Sequence, residues 1–425
     1  MARISPFRGI RFNPALIRLG GVLSPPYDVI DSAHRDALYG RDLRNIVRVD
    51  YGISHADDVP GTRDPYTRAA AFLTSWLDLG ILVREAEPTI YVAAHEFTHP
   101  DGGLRRRRGI LAIVPALPWE RSDLRPHERT LREPKEDRLA LLRTTRVQTS
   151  PVFALWSVVS GMDDLLADVT SGPALLGGRT DGELGSEKHL LWKAERERAA
   201  AFAEALTPAT LYIADGHHRY ETAVAYAAER DASEPDASAD APFRWCLVYL
   251  SAADDPALTI LPTHRLVRPA HGVAYSLDDL WARLDDVWDE EPAGSFAEAL
   301  ARSAELRPDH HAFATVAADG VAVLRRPRRA GPSPREALDA VVLENEVLAP
   351  AGVPREAIGL GALAYTRDPE ELTRAVAQGD AVLGFGMQPV TAAEVIAVAD
   401  SAETMPQKST YFYPKVPTGL VLHPV

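Results

Sequence analysis

Between Leu211 and Arg230 the sequence reads LYIADGHHRYETAVAYAAER, and its pattern changes midway. A short apolar run ends at Ala214. Five polar or backbone-permissive residues follow, Asp215, Gly216, His217, His218 and Arg219, and from Tyr220 to Arg230 the chain is Ala-rich and free of Pro and Gly. That order predicts a strand, a tight turn and a helix. Such a turn leaves backbone N–H groups unpaired at the start of the helix, and these, with the helix dipole, attract an anion such as phosphate. Gly216 lets the backbone approach a ligand closely, Arg219 offers a planar fork to phosphate oxygens, and Asp215 suits a metal ion or a proton. Asp followed by Gly is also ordinary capping chemistry, so either residue taken alone reads as structure. Two adjacent histidines and an arginine in the same turn, directly after a buried strand, mark it as a candidate site.

With 425 residues the chain has room for two or three domains, and 46% hydrophobic residues are ample for a core. A net charge of −14 opposes a broad nucleic-acid footprint but allows a local basic pocket. The single cysteine, Cys246 in FRWCLVYL, has no internal disulfide partner and reads as a small apolar core residue in a reducing compartment. The first residues lack an apolar core with a cleavage site, and no run of about 20 apolar residues occurs. The expectation is a soluble, cytoplasmic protein with neither membrane nor nucleic acid as a partner.

Upstream, VLSPPYDVI spans Val22 to Ile30. Pro fixes φ and restrains the residue before it, so Ser24-Pro25-Pro26 presents Tyr27 and Asp28 from a stiff loop, as candidates for substrate contact. Asp28 reads equally as the cap of a helix over Ser32 to Tyr39. Asn45 to Tyr51 alternates like a strand. Asp64 to Leu79 reads as an amphipathic helix with Gly80 as its stop, and Thr89 to Phe97 and Gly109 to Val114 as strands joined by turn chemistry at His99 to Gly103. The arginine run Arg105 to Arg108 is expected to be solvated.

A second dense polar stretch, RPHERTLREPKEDRLALLRTTR, runs from Arg125 to Arg146. His127, Glu128 and Thr130 precede a helix that starts near Pro134. Glu133, Glu136 and Asp137 suit the positive end of that helix, whereas Lys135 and Arg138, three apart, share a face open to a negatively charged ligand. Ser150 to Trp156 is expected as a strand, Asp163 to Gly185 as loop, Glu187 to Leu206 as helix, Asp231 to Ala241 as an exposed loop and Phe243 to Ser251 as a strand. His264, after the next strand, is a candidate substrate contact or a structural histidine.

Helices and short strands alternate from Ser276 to about Ala375. The GxGxxA match at Gly359 to Ala364 follows no β-run and is no dinucleotide fingerprint. Ala381 to Gly386 reads as a strand and Thr391 to Ala397 as a helix. The C-terminal stretch ETMPQKSTYFYPKVPTGL is too rich in Pro for a helix and too apolar for a loose tail. It is expected to fold back, so that Lys408, Ser409 and Thr410 cover a bound phosphate or tie down the terminus. The fold class expected is mixed α/β (α+β). Residues 1–270 would form the main domain with the DGHHR turn, 271–380 an accessory α/β subdomain, and 381–425 a segment returning to the main domain.

SPPYDVI, HERTLREPKEDRLALLR, ADGHHRYETA, LPTHRLV and MPQKSTYFYPKVPTGLV, five motifs in order along the chain, together resemble the bacterial and archaeal family called domain of unknown function 1015. The strand, DGHHR turn and helix is also similar to the nucleotide-binding motif of the ParB and sulfiredoxin superfamily, above all its free-serine kinases. This second resemblance implies a ParB/sulfiredoxin-like nucleotide-binding core with additional α/β subdomains, in which Asp215, Gly216, His217, His218 and Arg219 contact nucleotide phosphates or Mg²⁺.

The function expected is an ATP-dependent kinase acting on a small hydroxyl compound, free serine or a related amino acid, with ATP or another nucleotide and Mg²⁺ as cofactors. Arg219, Lys135 and Arg138 would supply positive charge, His217 and His218 hydrogen bonds, Asp215 the metal, and Glu128 or Asp28 the base. One alternative is a nucleotide-binding switch in which ATP or CTP closes a protein interface without net chemistry. Another is a metal-dependent phosphate-ester hydrolase using Asp215 and the two histidines, although adjacent histidines on extended backbone point apart. A homodimer is left open.

Overall fold

The computed structural model describes residues 2–128, 133–284, 286–329, 331 and 333–425. The chain divides into two compact units, one made of Met1–Thr259 with Pro414–Val425 and the other of Ile260–Tyr413. The boundaries expected from the sequence fell at 270 and 380; the chain passes between units after Thr259 and after Tyr413.

The first unit is built on an eight-stranded sheet. Its strands are β1 (Tyr91–Thr98), β2 (Leu104–Pro115), β3 (Leu124–Arg125), β4 (Val152–Trp156), β5 (Leu176–Gly182), β6 (Gly185–Lys193), β7 (Leu211–Asp215) and β8 (Trp245–Ala252). They lie in the order β3-β7-β4-β8-β2-β1-β6-β5. The pairs β3–β7 and β4–β8 are parallel and the other neighbours antiparallel, so the sheet is mixed. The longer helices of this unit are α1 (Ser32–Arg41), α2 (Pro65–Asp78), α3 (Glu133–Thr145), α4 (Met162–Thr170), α5 (Arg196–Leu206) and α6 (His217–Ser233).

The two-residue period of a strand explains where the core sits. Cys246, Val248 and Leu250 of β8 share a face with Ile110, Ala112 and Val114 of β2, and pack with Phe202 and Leu206 of α5 and Tyr220 and Ala223 of α6. The opposite face is covered by the N-terminal segment and the last dozen residues: the Phe7 and Tyr91 rings meet edge-on at 5.5 Å, and Leu422 exchanges backbone hydrogen bonds with Ile10. With both faces buried, the central strands read as continuous apolar runs. Cys246 is a buried free thiol, pushed up to about 12 by burial.

Several elements differ from the sequence expectation, each for a local reason. Asn45 to Tyr51 holds a helical turn at Val47–Asp50 in place of a strand, because the Asn45 side chain accepts from the Val47 amide and donates to the carbonyls of Gly21 and Leu23. The cap of α1 is Asp31, which accepts from the His34 amide at 2.7 Å, and Asp28 sits exposed in a 3-10 turn, Tyr27–Val29. The stretch expected as loop holds α4 and β5. Its Gly178 belongs to a strand because the backbone of Gly20 lies against it, 2.4 Å from where a Cβ would stand. Glu187 to Leu206 begins as β6 and turns helical only at Arg196, since Glu187, His189 and Leu191 alternate inward. Of the four arginines in β2, Arg107 is fully buried rather than solvated. The amphipathic helix stands as α2, capped by Asp64 and Thr67 in a reciprocal box and stopped by Gly80 at φ 69°.

The second unit has a six-stranded sheet in which every neighbouring pair is antiparallel. Its strands are β9 (His264–Val267), β10 (Asp289–Pro292), β11 (His310–Ala317), β12 (Gly320–Pro327), β13 (Leu363–Thr366) and β14 (Leu383–Gly386), in the order β10-β12-β11-β14-β9-β13. Helices Phe296–Leu306 and Pro369–Gln378 cover one face through Phe296, Ala299, Leu372 and Val376. Gly359 ends a short helix, Arg355–Gly359, and no strand leads into it. Among the described residues no helix is long and apolar enough to cross a membrane.

Candidate functional site

β7 ends at Asp215 and α6 begins at His217, with Gly216 between them at φ 91° and ψ 30°. That left-handed geometry suits glycine, and a Cβ here would stand 2.9 Å from Cζ and Nε of Arg219. The room above Gly216 is therefore filled by the chain's own guanidinium. Gly216→Ala is expected to lower the unfolding free energy by about 1–3 kcal/mol, read by chemical denaturation, and an unchanged midpoint would refute the close packing.

Asp215 holds two cations. One oxygen pairs with Lys415 Nζ at 2.5 Å and the other with Arg219 Nη2. Burial alone would raise this carboxyl, but the charges of Lys415 and Arg219 outweigh it and hold the group well below the usual carboxylate range. Arg219 points inward: its Nη1 donates to Ser150 Oγ at 3.0 Å and to the Pro151 carbonyl.

His217 and His127 form a buried pair, their rings edge-on at 4.8 Å. His127 Nδ1 lies 2.8 Å from the Ile213 carbonyl, which can only accept, so the proton is on Nδ1. The His127 backbone amide in turn donates to His217 Nε2 at 3.4 Å. Burial lowers His127 to about 4 and His217 well below its ordinary value, so both rings are neutral at pH 7.

His218 turns the other way and is half-buried. Burial lowers its pKa against the opposing charges of Glu221, Asp28 and Glu128, with Lys135 adding to the lowering. Lys135 pairs with Glu221, whose other oxygen accepts from Trp119 Nε1 at 3.1 Å. The N-cap of α6 is Gly216, which has no side chain to cap the first turn.

Arg138, also on α3, is buried. It donates to the Asp50 carbonyl at 2.6 Å, pairs with Asp137 and lies 4.1 Å from the centre of the Tyr27 ring. Burial and Asp28 push Tyr27 up to about 12 against the pull of Arg138 and Arg219. Behind Arg219 a cavity of about 50 Å³ is lined by Tyr27, Asp50, Arg138, Thr149, Ser150 and Cys246, among others.

The corner thus brings together Tyr27, Asp28, Lys135, Arg138, Asp215, Gly216, His217, His218 and Arg219, with Glu128 among the charges that bear on His218. The other candidates belong to the second unit. His264 is buried in β9, accepts from the Met387 amide at 3.1 Å and is lowered to about 4 by burial. Ser409 is buried and donates to the Pro406 carbonyl, Lys408 is exposed at φ 59°, and Thr410 is half-buried. Thr130 lies outside the described residues, and of Glu133 only the backbone is described. Two participants went unassigned in the sequence: His127, readable only as one more polar residue, and Lys415, whose signal is a lone cation inside the apolar run YFYPKVPTGLVL.

The chain belongs to the family of proteins of unknown function DUF1015, which it matches over residues 4–341. No curated protein matches it. Among solved structures it is similar to a free serine kinase variant in complex with AMP, at 14% identity and a TM-score of 0.37, over 73% of this chain and 92% of that one. A conserved hypothetical protein from Pyrococcus furiosus shows 13% identity and a TM-score of 0.33, over 72% and 93%. SbnI with C-terminal truncation from Staphylococcus aureus shows 12% and 0.35, over 72% and 85%.

Proposed function

We propose that the protein is an ATP-dependent phosphotransferase acting on a small hydroxyl-bearing metabolite, free serine or a related amino acid. One observation carries the reading: the charges of Asp28, Glu128, Lys135 and Glu221, from three separated stretches of sequence, all bear on His218 in the first turn of α6, whose N-cap Gly216 brings no side chain. Phosphoryl transfer demands charge neutralisation and alignment more than covalent chemistry; here Lys135 and the helix start would supply positive charge, and the carboxylates would hold the metal ion that supplies the rest.

The uncapped amides of α6 receive phosphate oxygens, as helix starts do. Lys135 adds positive charge, an anion competing with Glu221 for its ammonium. Arg219 and Arg138 are committed inward and shape the corner. Because both oxygens of Asp215 are taken by cations, the metal role moves from Asp215 to Asp28 and Glu128, one of which also takes the proton of the acceptor hydroxyl. Mg²⁺, when bound, would supply further charge neutralisation at the phosphate oxygens. His217, neutral and wedged against His127, fixes the first turn, while His218 faces the ligand as a hydrogen-bonding group.

The test is to incubate pure protein with ATP, Mg²⁺ and a pool of amino acids. ADP together with a phosphorylated amino acid is expected. Nucleotide binding without turnover would replace the kinase by a switch, and release of phosphate from esters without nucleotide would replace it by a hydrolase.

A further inference from the structure

A second polar cluster lies on β1 and β6, with β4, β8 and β2 between it and β7. His95 and His189 are directly opposed in the antiparallel pair, and Glu187, two residues before His189, falls on the same face by the two-residue period. All three are more than nine-tenths buried. Glu187 Oε2 is 2.8 Å from His95 Nε2 and 3.9 Å from His189 Nε2, and the three candidate ligand atoms lie within 4.8 Å of one another. The Thr180 hydroxyl is 2.8 Å from His189 Nε2.

The geometry points to a divalent transition-metal site of the zinc class, with His95, His189 and the Glu187 carboxylate as its protein ligands. Two imidazoles and a carboxylate are a donor set that zinc accepts, and bonds of about 2.0–2.1 Å in a tetrahedron put ligand atoms about 3.3 Å apart. Toward that arrangement the 2.8 Å pair opens and the 3.9 Å pair closes by about 0.5 Å, and the two imidazole nitrogens, which lie within 4.8 Å, draw together as well. The fourth position falls to Thr180 or to a water, and the buried ion would tie the β5–β6 edge of the sheet to β1.

The surroundings set the terms. Arg107, opposite His95 on β2, is a neighbouring buried cation whose charge opposes a second one. It leans away, 4.8 Å over the Phe153 ring, and donates to the Pro414 carbonyl at 2.8 Å. The Glu187 carboxylate, once it ligates, would offset what remains of its charge. His95 Nδ1 is buried without a partner, and a cavity of about 10 Å³ lined by His95, Arg107 and His189 is the size of one water, which would accept the ring proton once Nε2 ligates. Burial keeps both imidazoles neutral at pH 7, the form that ligates.

The full chain, stripped with a chelator and titrated with Co²⁺, should bind one equivalent, show the visible bands of a four-coordinate ion and release it to Zn²⁺. His189→Ala and Glu187→Gln should each lose that equivalent while keeping the far-ultraviolet circular dichroism of the parent. Failure of the folded parent to bind Co²⁺ or Zn²⁺ stoichiometrically, or equal binding by both variants, would overturn the assignment. Should the variants not fold, Co²⁺ bound to the parent must shift the ring signals of two histidines, and unshifted rings would count as refutation.

Discussion

Asp215→Asn is expected to cost about 3–5 kcal/mol of folding stability at neutral pH, the usual cost of removing one partner from a buried ion pair. The carboxylate is 15% exposed and stands between Lys415 and Arg219, themselves 11% and 8% exposed, so the variant leaves two cations desolvated with a neutral amide between them. Arg219 keeps Ser150 and the Pro151 carbonyl in the variant. The pH dependence has a fixed sign. The folded-state pKa of Asp215 lies below the unfolded value of about 3.9, so its contribution is complete well above that value and drains away as the pH falls through the folded pKa. Urea titrations at pH 7 and pH 3 should therefore show the gap between parent and variant narrowing in acid. A gap below about 1 kcal/mol at pH 7 would mean that water, not protein, satisfies these cations.

The strand, turn and helix at Leu211 to Ser233 were readable because the apolar run, the glycine and the Ala-rich segment each pointed the same way. Direction was not. Local sequence shows that Arg219 follows a turn, yet whether its guanidinium meets solvent depends on Ser150, Asp215 and Lys415, and Lys415 lies two hundred residues away. The same limit hid the trio on β1 and β6. EKHLLWK alternates, but its inward positions begin with Glu and His, so a pattern that equates inward with apolar reads it as the start of a helix. Glycine misled in the opposite sense: Gly177 and Gly178 look like loop residues, whereas Gly178 is small because backbone lies on it. Asn45 is the third kind of case, a side chain that supplies the hydrogen bonds a strand partner would have supplied.

Asp28 offers the sharpest separation of chemistry from architecture. With the cap of α1 made by Asp31, Asp28 stands exposed in its 3-10 turn, held there by Pro25 and Pro26, and its charge reaches His218, Tyr27 and Arg219. Asp28→Asn keeps the volume and removes the charge. It is expected to lower kcat for the proposed phosphoryl transfer by about 10²–10⁴-fold, the range for loss of a general base, while the melting temperature stays within a degree or two of the parent. The Mg²⁺ dependence divides the possible roles. If Asp28 takes the proton of the acceptor hydroxyl, added Mg²⁺ restores nothing; if it holds the metal, the Mg²⁺ requirement rises and excess Mg²⁺ recovers turnover. Asp31→Ala is the matching control. It removes the cap bond to His34, so stability should fall by about 1 kcal/mol with little change in kcat. A turnover number for Asp28→Asn within twofold of the parent would take Asp28 out of the reaction and leave Glu128 as the carboxylate on which the proposed chemistry rests.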